Sequence, residues 1–123
     1  MDIEAVLEQF MRLSGLDEQV ARGWVPLCEA AAERIEELLP RDAEPNRLRL
    51  ILAAAGEANY RYMLARSTGS AQSFKVGDIS VTRSEGGGSA QEARALRDAL
   101  FADAAPLFAR GHAGLWQVIE HES

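Results

Sequence analysis

The sequence predicts a mainly α fold, a small bundle of four to five helices with one inserted β-hairpin, in a single domain covering residues 1–123. Three observations carry this reading. Apolar residues recur at three-and-four spacing through four separate stretches, as they do on helices that bury one stripe. One further stretch, Phe74 to Val81, places apolar residues symmetrically about a Gly-Asp pair, as a hairpin does. A chain of 123 residues has room for one core of ordinary size, and 47% hydrophobic with 26% charged residues is a globular composition.

The first helix is expected over residues 2–13, where Ile3, Val6, Leu7, Phe10 and Leu13 share a face and Glu4, Glu8, Gln9 and Arg12 lie elsewhere. Ser14 and Gly15 supply a stop. Asp17 then offers a carboxylate to the free amides of a second helix, which spans 17–39 with Val20, Trp24, Leu27, Cys28, Ala31, Ile35, Leu38 and Leu39 on its apolar seam. Pro26 removes one backbone donor and crowds the preceding turn, so this helix is read as one element bent near Gly23.

Pro40 to Pro45 forms a loop, with Pro45 suited to the first turn of a third helix over 45–66. Leu48, Ile51, Leu52, Ala55, Tyr62 and Met63 mark its apolar residues. Ala53, Ala54, Ala55 and Gly56 would let another helix approach closely, while Gly56 weakens the helix locally. Ser67 to Ser70 is expected to end it.

The hairpin occupies about 72–83. A two-residue turn at Gly77-Asp78 sets Val76 opposite Ile79 and Phe74 opposite Val81, so the four apolar side chains share one face and Lys75 and Ser80 point away. An isolated two-stranded hairpin is marginal in water, so this face needs a cover. Gly86 to Gly88 links it to a last helix over 89–109, opened by the capping-box pair Ser89 and Glu92. Ala93, Leu96, Leu100, Leu107 and Phe108 form its stripe, which Pro106 interrupts. Beyond it, residues 115–119 make an apolar tail with Leu115, Trp116, Val118 and Ile119, and such a tail must dock somewhere.

Composition narrows the function. Nineteen acidic against 13 basic residues give a net charge of −6, which disfavours tight binding to nucleic acid. Cys28 is the only cysteine, so no internal disulfide forms, which suits a reducing compartment. The start lacks the basic and apolar regions of a secretory signal, and the run Leu48 to Ala55 is too short to span a bilayer, so neither export by that route nor membrane association is expected.

No constellation points to catalysis. Glu33, Glu36 and Glu37 are close enough to pose as an acid and base pair for a hydrolase, but with Arg34 and Arg41 they read better as the wet face of a helix. His112 and His121 lack metal-ligand spacing. Cys28 lies on an apolar seam without an activating base. Gly86-Gly87-Gly88 lacks any phosphate-loop motif. Arg61, Arg66, Lys75 and Arg83 are too sparse for more than transient contact with DNA. No catalytic, metal or cofactor residues are therefore expected. Trp116 is either a core residue or an interface anchor.

A short helix, a longer helix from Asp17 to Leu39, a third containing Asn59-Tyr60-Arg61, the segment Phe74 to Thr82 and a last helix from Ala90 to Ala109 together resemble the bacteriophage head-tail connector, or adaptor, family. The resemblance covers most of residues 3–110; the bend at Gly23 to Pro26 and the apolar tail depart from it. It implies a structural virion assembly protein without cofactor. Such a protein is a subunit of a homo-oligomeric ring between the portal protein and tail-side adaptor proteins, with a channel through which DNA passes without tight binding. It implies residence in the virion, and in the bacterial host cytoplasm during assembly. Phe74, Val76, Ile79, Val81 and Trp116 are then the expected subunit or partner interface. The alternative from another class is a small helical protein-binding module of bacterial origin with a regulatory partner.

Overall fold

Three of the helices start where a side chain satisfies amides that the helix itself leaves free. In the computed structural model, which describes residues 1–73 and 89–109, Asp2 accepts from the Glu4 N–H at 3.0 Å and opens α1, Ile3–Ser14. Gly15 closes it in the left-handed region at φ 78°, where a side chain would be strained, and its N–H donates to Met11 O. Asp17 caps the Val20 N–H at 2.9 Å and opens α2, Glu18–Arg22.

The single bent helix expected over 17–39 is in fact two. Gly23 and Trp24 form a turn, and α3 begins afresh as Val25–Glu37. Pro26 stands in the first turn of α3, where its missing N–H has no intrahelical partner to lose, so the proline starts a helix here instead of kinking one.

Helix α4, Leu48–Ser73, is the longest element. It starts three residues after Pro45, which lies in the preceding turn and not in the first helical turn as its residue type suggested. It also runs through Ser67 to Ser70, where a break was expected. One glycine and a few serines lower helix propensity by only about 0.5–1 kcal/mol each, which an established helix can carry. Helix α5, Ala90–Ala104, opens with the complete capping box: Glu92 N–H donates to Ser89 Oγ at 3.1 Å and Ser89 N–H to Glu92 Oε1 at 2.9 Å. It ends at Ala104, and a 3₁₀ turn, Ala105–Leu107, containing Pro106 replaces the last helical turn expected up to residue 109.

These elements make a mainly helical bundle with α4 at its centre. Helices α1, α3 and α5 each pack on α4, and α1 also packs on α3. The direction of each follows from its contacts. Asp2 N–H donates to Asn46 Oδ1 just before α4 begins, and Phe10 meets Tyr62 further along, so α1 runs parallel to α4. Gly56 faces Leu100, whereas Glu57 and Tyr60 face Arg97, so α5 runs antiparallel to it.

Alanines make the central position possible. Ala53, Ala54, Ala55 and Ala58 are all fully buried, so neighbouring helices close in around a thin α4. Phe10, Leu7, Val6, Ile35, Leu50 and Phe101 fill the space between them. Three edge-to-face ring contacts add to this: Phe10 with Tyr62 at 5.8 Å, Trp24 with Tyr62 at 5.0 Å, and Phe101 with Phe108 at 6.1 Å. Gly56, expected to weaken α4, allows a close approach of α5: a methyl at this position would meet Leu100 Cδ1 at 2.7 Å and Arg97 Cα at 3.4 Å. Three seam residues depart from their expected burial, since Val20, Leu48 and Leu96 are substantially exposed. No β-strand occurs among the described residues; the hairpin expected over 72–83 falls from Phe74 onward outside them, as does the tail 115–119.

Candidate interaction surface

The residues expected to form an interface, Phe74, Val76, Ile79, Val81 and Trp116, all lie outside the described residues. What the structure does place is the frame from which both segments depart. The contacts Gly56 with Leu100 and Tyr60 with Arg97 set the antiparallel register of α4 on α5. In that register Ala90, the first residue of α5, stands level with about residue 66 of α4. Helix α4 continues to Ser73, so it projects past the start of α5 by about seven residues, or about 10 Å.

Below this projection, the α4–α5 seam holds a buried ionic network. Glu57, only 4% exposed, accepts from Arg61 Nε at 2.7 Å and from Arg97 Nη1 at 2.9 Å, and Arg97 Nε donates to Asp98 at 2.7 Å. The Arg97 guanidinium also lies over the Tyr60 ring, 4.8 Å from its centroid. Burial pushes the Glu57 carboxyl up, but the hydrogen bonds from Arg97 and Arg61 and their charges outweigh it, so the group sits below the ordinary glutamate range. Burial likewise opposes the Arg97 charge, and Glu57 and Asp98 overcome it. This network ties Arg97 of α5 to Glu57 of α4 by hydrogen bonds aligned on a buried carboxylate.

The carboxylates considered for catalysis separate. Glu36 pairs with the Met1 amino group at 2.6 Å, while Glu33 and Glu37 border an open depression of about 270 Å³ with Ala30, Arg34 and Arg61. Arg34 stacks over the Phe101 ring at 5.8 Å. The depression is wet and charged, with one apolar residue in its wall. Cys28 is fully buried in the core, and burial, with a smaller contribution from Glu29, pushes its thiol up to about 11, so it is not poised as a nucleophile. His112, His121 and Gly86 to Gly88 lie outside the described residues, as do Lys75 and Arg83. Among the described residues no three His, Cys, Asp or Glu side chains gather into a metal-holding group.

Sequence reasoning missed two features of this region. The pair Glu57 and Arg61 has the i, i+4 spacing of a helical ion pair and was legible, but its third member, Arg97, lies 40 residues away. Asn59, in the middle of α4, is 6% exposed, and its Oδ1 accepts no hydrogen bond. No family model matches the chain, and no curated protein or solved structure matches it. Among the described residues no helix is long and apolar enough to cross a membrane.

Proposed function

We propose that the protein is a structural assembly subunit of a tailed phage, a non-enzymatic member of a head-tail connector ring between portal and tail-side adaptor proteins. The observation that carries the proposal is the projection of α4 past the start of α5. Helix α4 ends at Ser73, immediately before the apolar alternating segment in sequence and about 10 Å beyond the point where α5 begins to pack. Phe74, Val76, Ile79 and Val81 follow that helix end in sequence, and a neighbouring copy can supply the surface that a hairpin face requires. One such contact, repeated head to tail, closes into a ring when the rotation permits.

Two further features support the reading. The Glu57–Arg97 pair sets the register of α5 on α4, and the Ser89 capping box defines where α5 begins. A net charge of −6 suits a channel wall that DNA passes without adhering. Virion residence, a hairpin within residues 74–83 and the absence of any cofactor requirement belong to the same proposal.

Negative-stain imaging of the purified chain, alone and mixed with a phage portal ring, tests it. Closed rings with a central hole are expected, and Val76→Asp with Ile79→Asp should abolish them while leaving helical content unchanged. Monomers under both conditions would overturn the connector reading and leave the binding module in its place. Nanomolar affinity for duplex DNA at physiological salt would contradict the channel.

A further inference from the structure

Leu48, the first residue of α4, is 64% exposed, more than any other large apolar side chain among the described residues. It stands between Arg47 and Arg49, which are both exposed, and neither forms an ion pair among the described residues. Asp42 and Glu44 precede them in the loop from α3, but Glu44 accepts the Asn46 N–H at 2.8 Å and Asp42 adjoins Arg41, a further exposed cation. Helix formation does not account for the two arginines, because the start of a helix is the positive end of its dipole and disfavours a cation. No acidic residue offsets them in the first turn of α4. An exposed leucine flanked by unpaired cations suits a partner that offers carboxylates around a small hollow.

The same chain carries such a hollow. Glu33 and Glu37, with Ala30, Arg34 and Arg61, line the open depression of about 270 Å³ where α3 borders α4. Glu29, Glu33 and Glu37 follow one another at i, i+4 and i+8, so they form a row along one side of α3. All three are exposed, and none is in an ion pair among the described residues. The two cations of the lining are already engaged: Arg61 donates to the buried Glu57 at 2.7 Å, and Arg34 lies over the Phe101 ring at 5.8 Å. Within one molecule the leucine and the hollow are held apart. Leu48 and Arg61 belong to one continuous helix, which sets them about 20 Å apart along its axis and about 140° apart around it.

We propose that Leu48 of one copy, with Arg47 and Arg49 beside it, seats in the Glu33–Glu37 depression of the next copy. The arginines pair with Glu29, Glu33 and Glu37, and Leu48 lies against Ala30 and the carbon stems of the long side chains around it. Charge complementarity selects a second copy, since the chain carries both halves and its own helix keeps them from meeting. A knob and its hollow on different sides of one rigid element are the halves of a head-to-tail contact, in which every copy gives to one neighbour and accepts from the other. The inference rests on the ring reading for closure of the series. It gives the ring a contact made by the helical frame, besides the one proposed for residues 74–81.

Charge exchange tests it. One variant, Glu33→Arg with Glu37→Arg, reverses the hollow; the other, Arg47→Glu with Arg49→Glu, reverses the knob. By sedimentation velocity and native mass spectrometry the unaltered chain should self-associate, and less so as salt is raised. Each variant alone should associate at least about tenfold more weakly, because like charges then face each other. An equimolar mixture should recover association, since alternating copies bring every knob to a hollow of opposite charge. A chain with all four changes, which keeps the parent's net charge, should recover it alone. Leu48→Ser should weaken association in the parent and in the mixture alike. Should circular dichroism show a reversed chain to be misfolded, Glu33→Gln with Glu37→Gln and Arg47→Gln with Arg49→Gln take its place, and association should fall without recovery on mixing. Variants that associate like the parent, or folded reversed variants that mixing fails to restore, would overturn the contact and leave the ring reading intact. Recovery on mixing into open chains, with no closed rings by imaging, would uphold the contact and contradict the ring. A parent that stays monomeric at every concentration, with and without a portal ring, would overturn both.

Discussion

The two sides of α4 are held by different physics. Toward α1 and α3 it meets large apolar side chains, Phe10, Leu7, Val6 and Ile35, which fill space against a row of buried alanines. Toward α5 it meets a glycine contact at Gly56 and a charged cluster in which one buried carboxylate, Glu57, holds two guanidinium groups. The first kind of contact depends on volume and shape. The second depends on direction, because a buried ion pair stabilises only when its hydrogen bonds are aligned. An apolar core thus supplies the bulk of the stability, while the polar seam sets the rotation of the helix that leads out of residues 74–88 and on toward the tail.

If that division is right, core truncations should have the largest effect. Phe10→Ala removes a fully buried ring and its contact with Tyr62, and should cost about 3–5 kcal/mol in urea unfolding. Glu57→Ala should cost about 2–3 kcal/mol, somewhat less than a fully isolated pair, because Arg97 keeps Asp98 and Arg61 is partly exposed. The double change Glu57→Leu with Arg97→Met should restore most of that loss, and yet broaden the amide spectrum of α5 if the ions specify its rotation. Ser89→Ala, which removes half of the capping box, should cost about 1 kcal/mol, with faster amide exchange confined to the first turn of α5.

Acid provides a finer comparison. The folded-state Glu57 carboxyl lies below its ordinary value of 4.5, so its contribution is complete above that value and is lost as pH falls through the depressed one. Urea midpoints recorded from pH 7 down to pH 2.5 should therefore fall steeply only below about pH 4.5, and Glu57→Gln should flatten that part of the curve. An unchanged acid limb in the variant would mean that the seam contributes less than the geometry implies.

The apolar side of this comparison was legible in the sequence, and the polar side was not. Three-and-four spacing located α1, α3, most of α4 and α5, and the residue types at Gly15, Asp17 and Ser89 placed the end of α1 and the starts of α2 and α5 within a residue or two. Spacing along one helix cannot reveal partners on another, so Arg97 as the partner of Glu57 emerged only when α5 was laid on α4. The same limit applies to Gly56, which reads as a weakness in an isolated helix and becomes a contact point in a pair. Pro26 was misread because one proline can kink a helix or begin one, and the difference lies in whether the preceding turn closes at Gly23. The exposure of Leu48 and Leu96 was likewise invisible, since the apolar stripe of a helix does not state how many neighbours will cover it. The interface residues expected from the sequence lie outside the described structure, so their legibility rests on the pattern around Gly77-Asp78 and on the apolar tail 115–119.

Native mass spectrometry of the whole chain over a wide concentration range addresses the central claim, that copies of this subunit complete one another, most directly. The account predicts a series of complexes that converges on a single closed multiplicity of many copies. A spectrum of monomer alone at every concentration, with a portal ring present or absent, would contradict it.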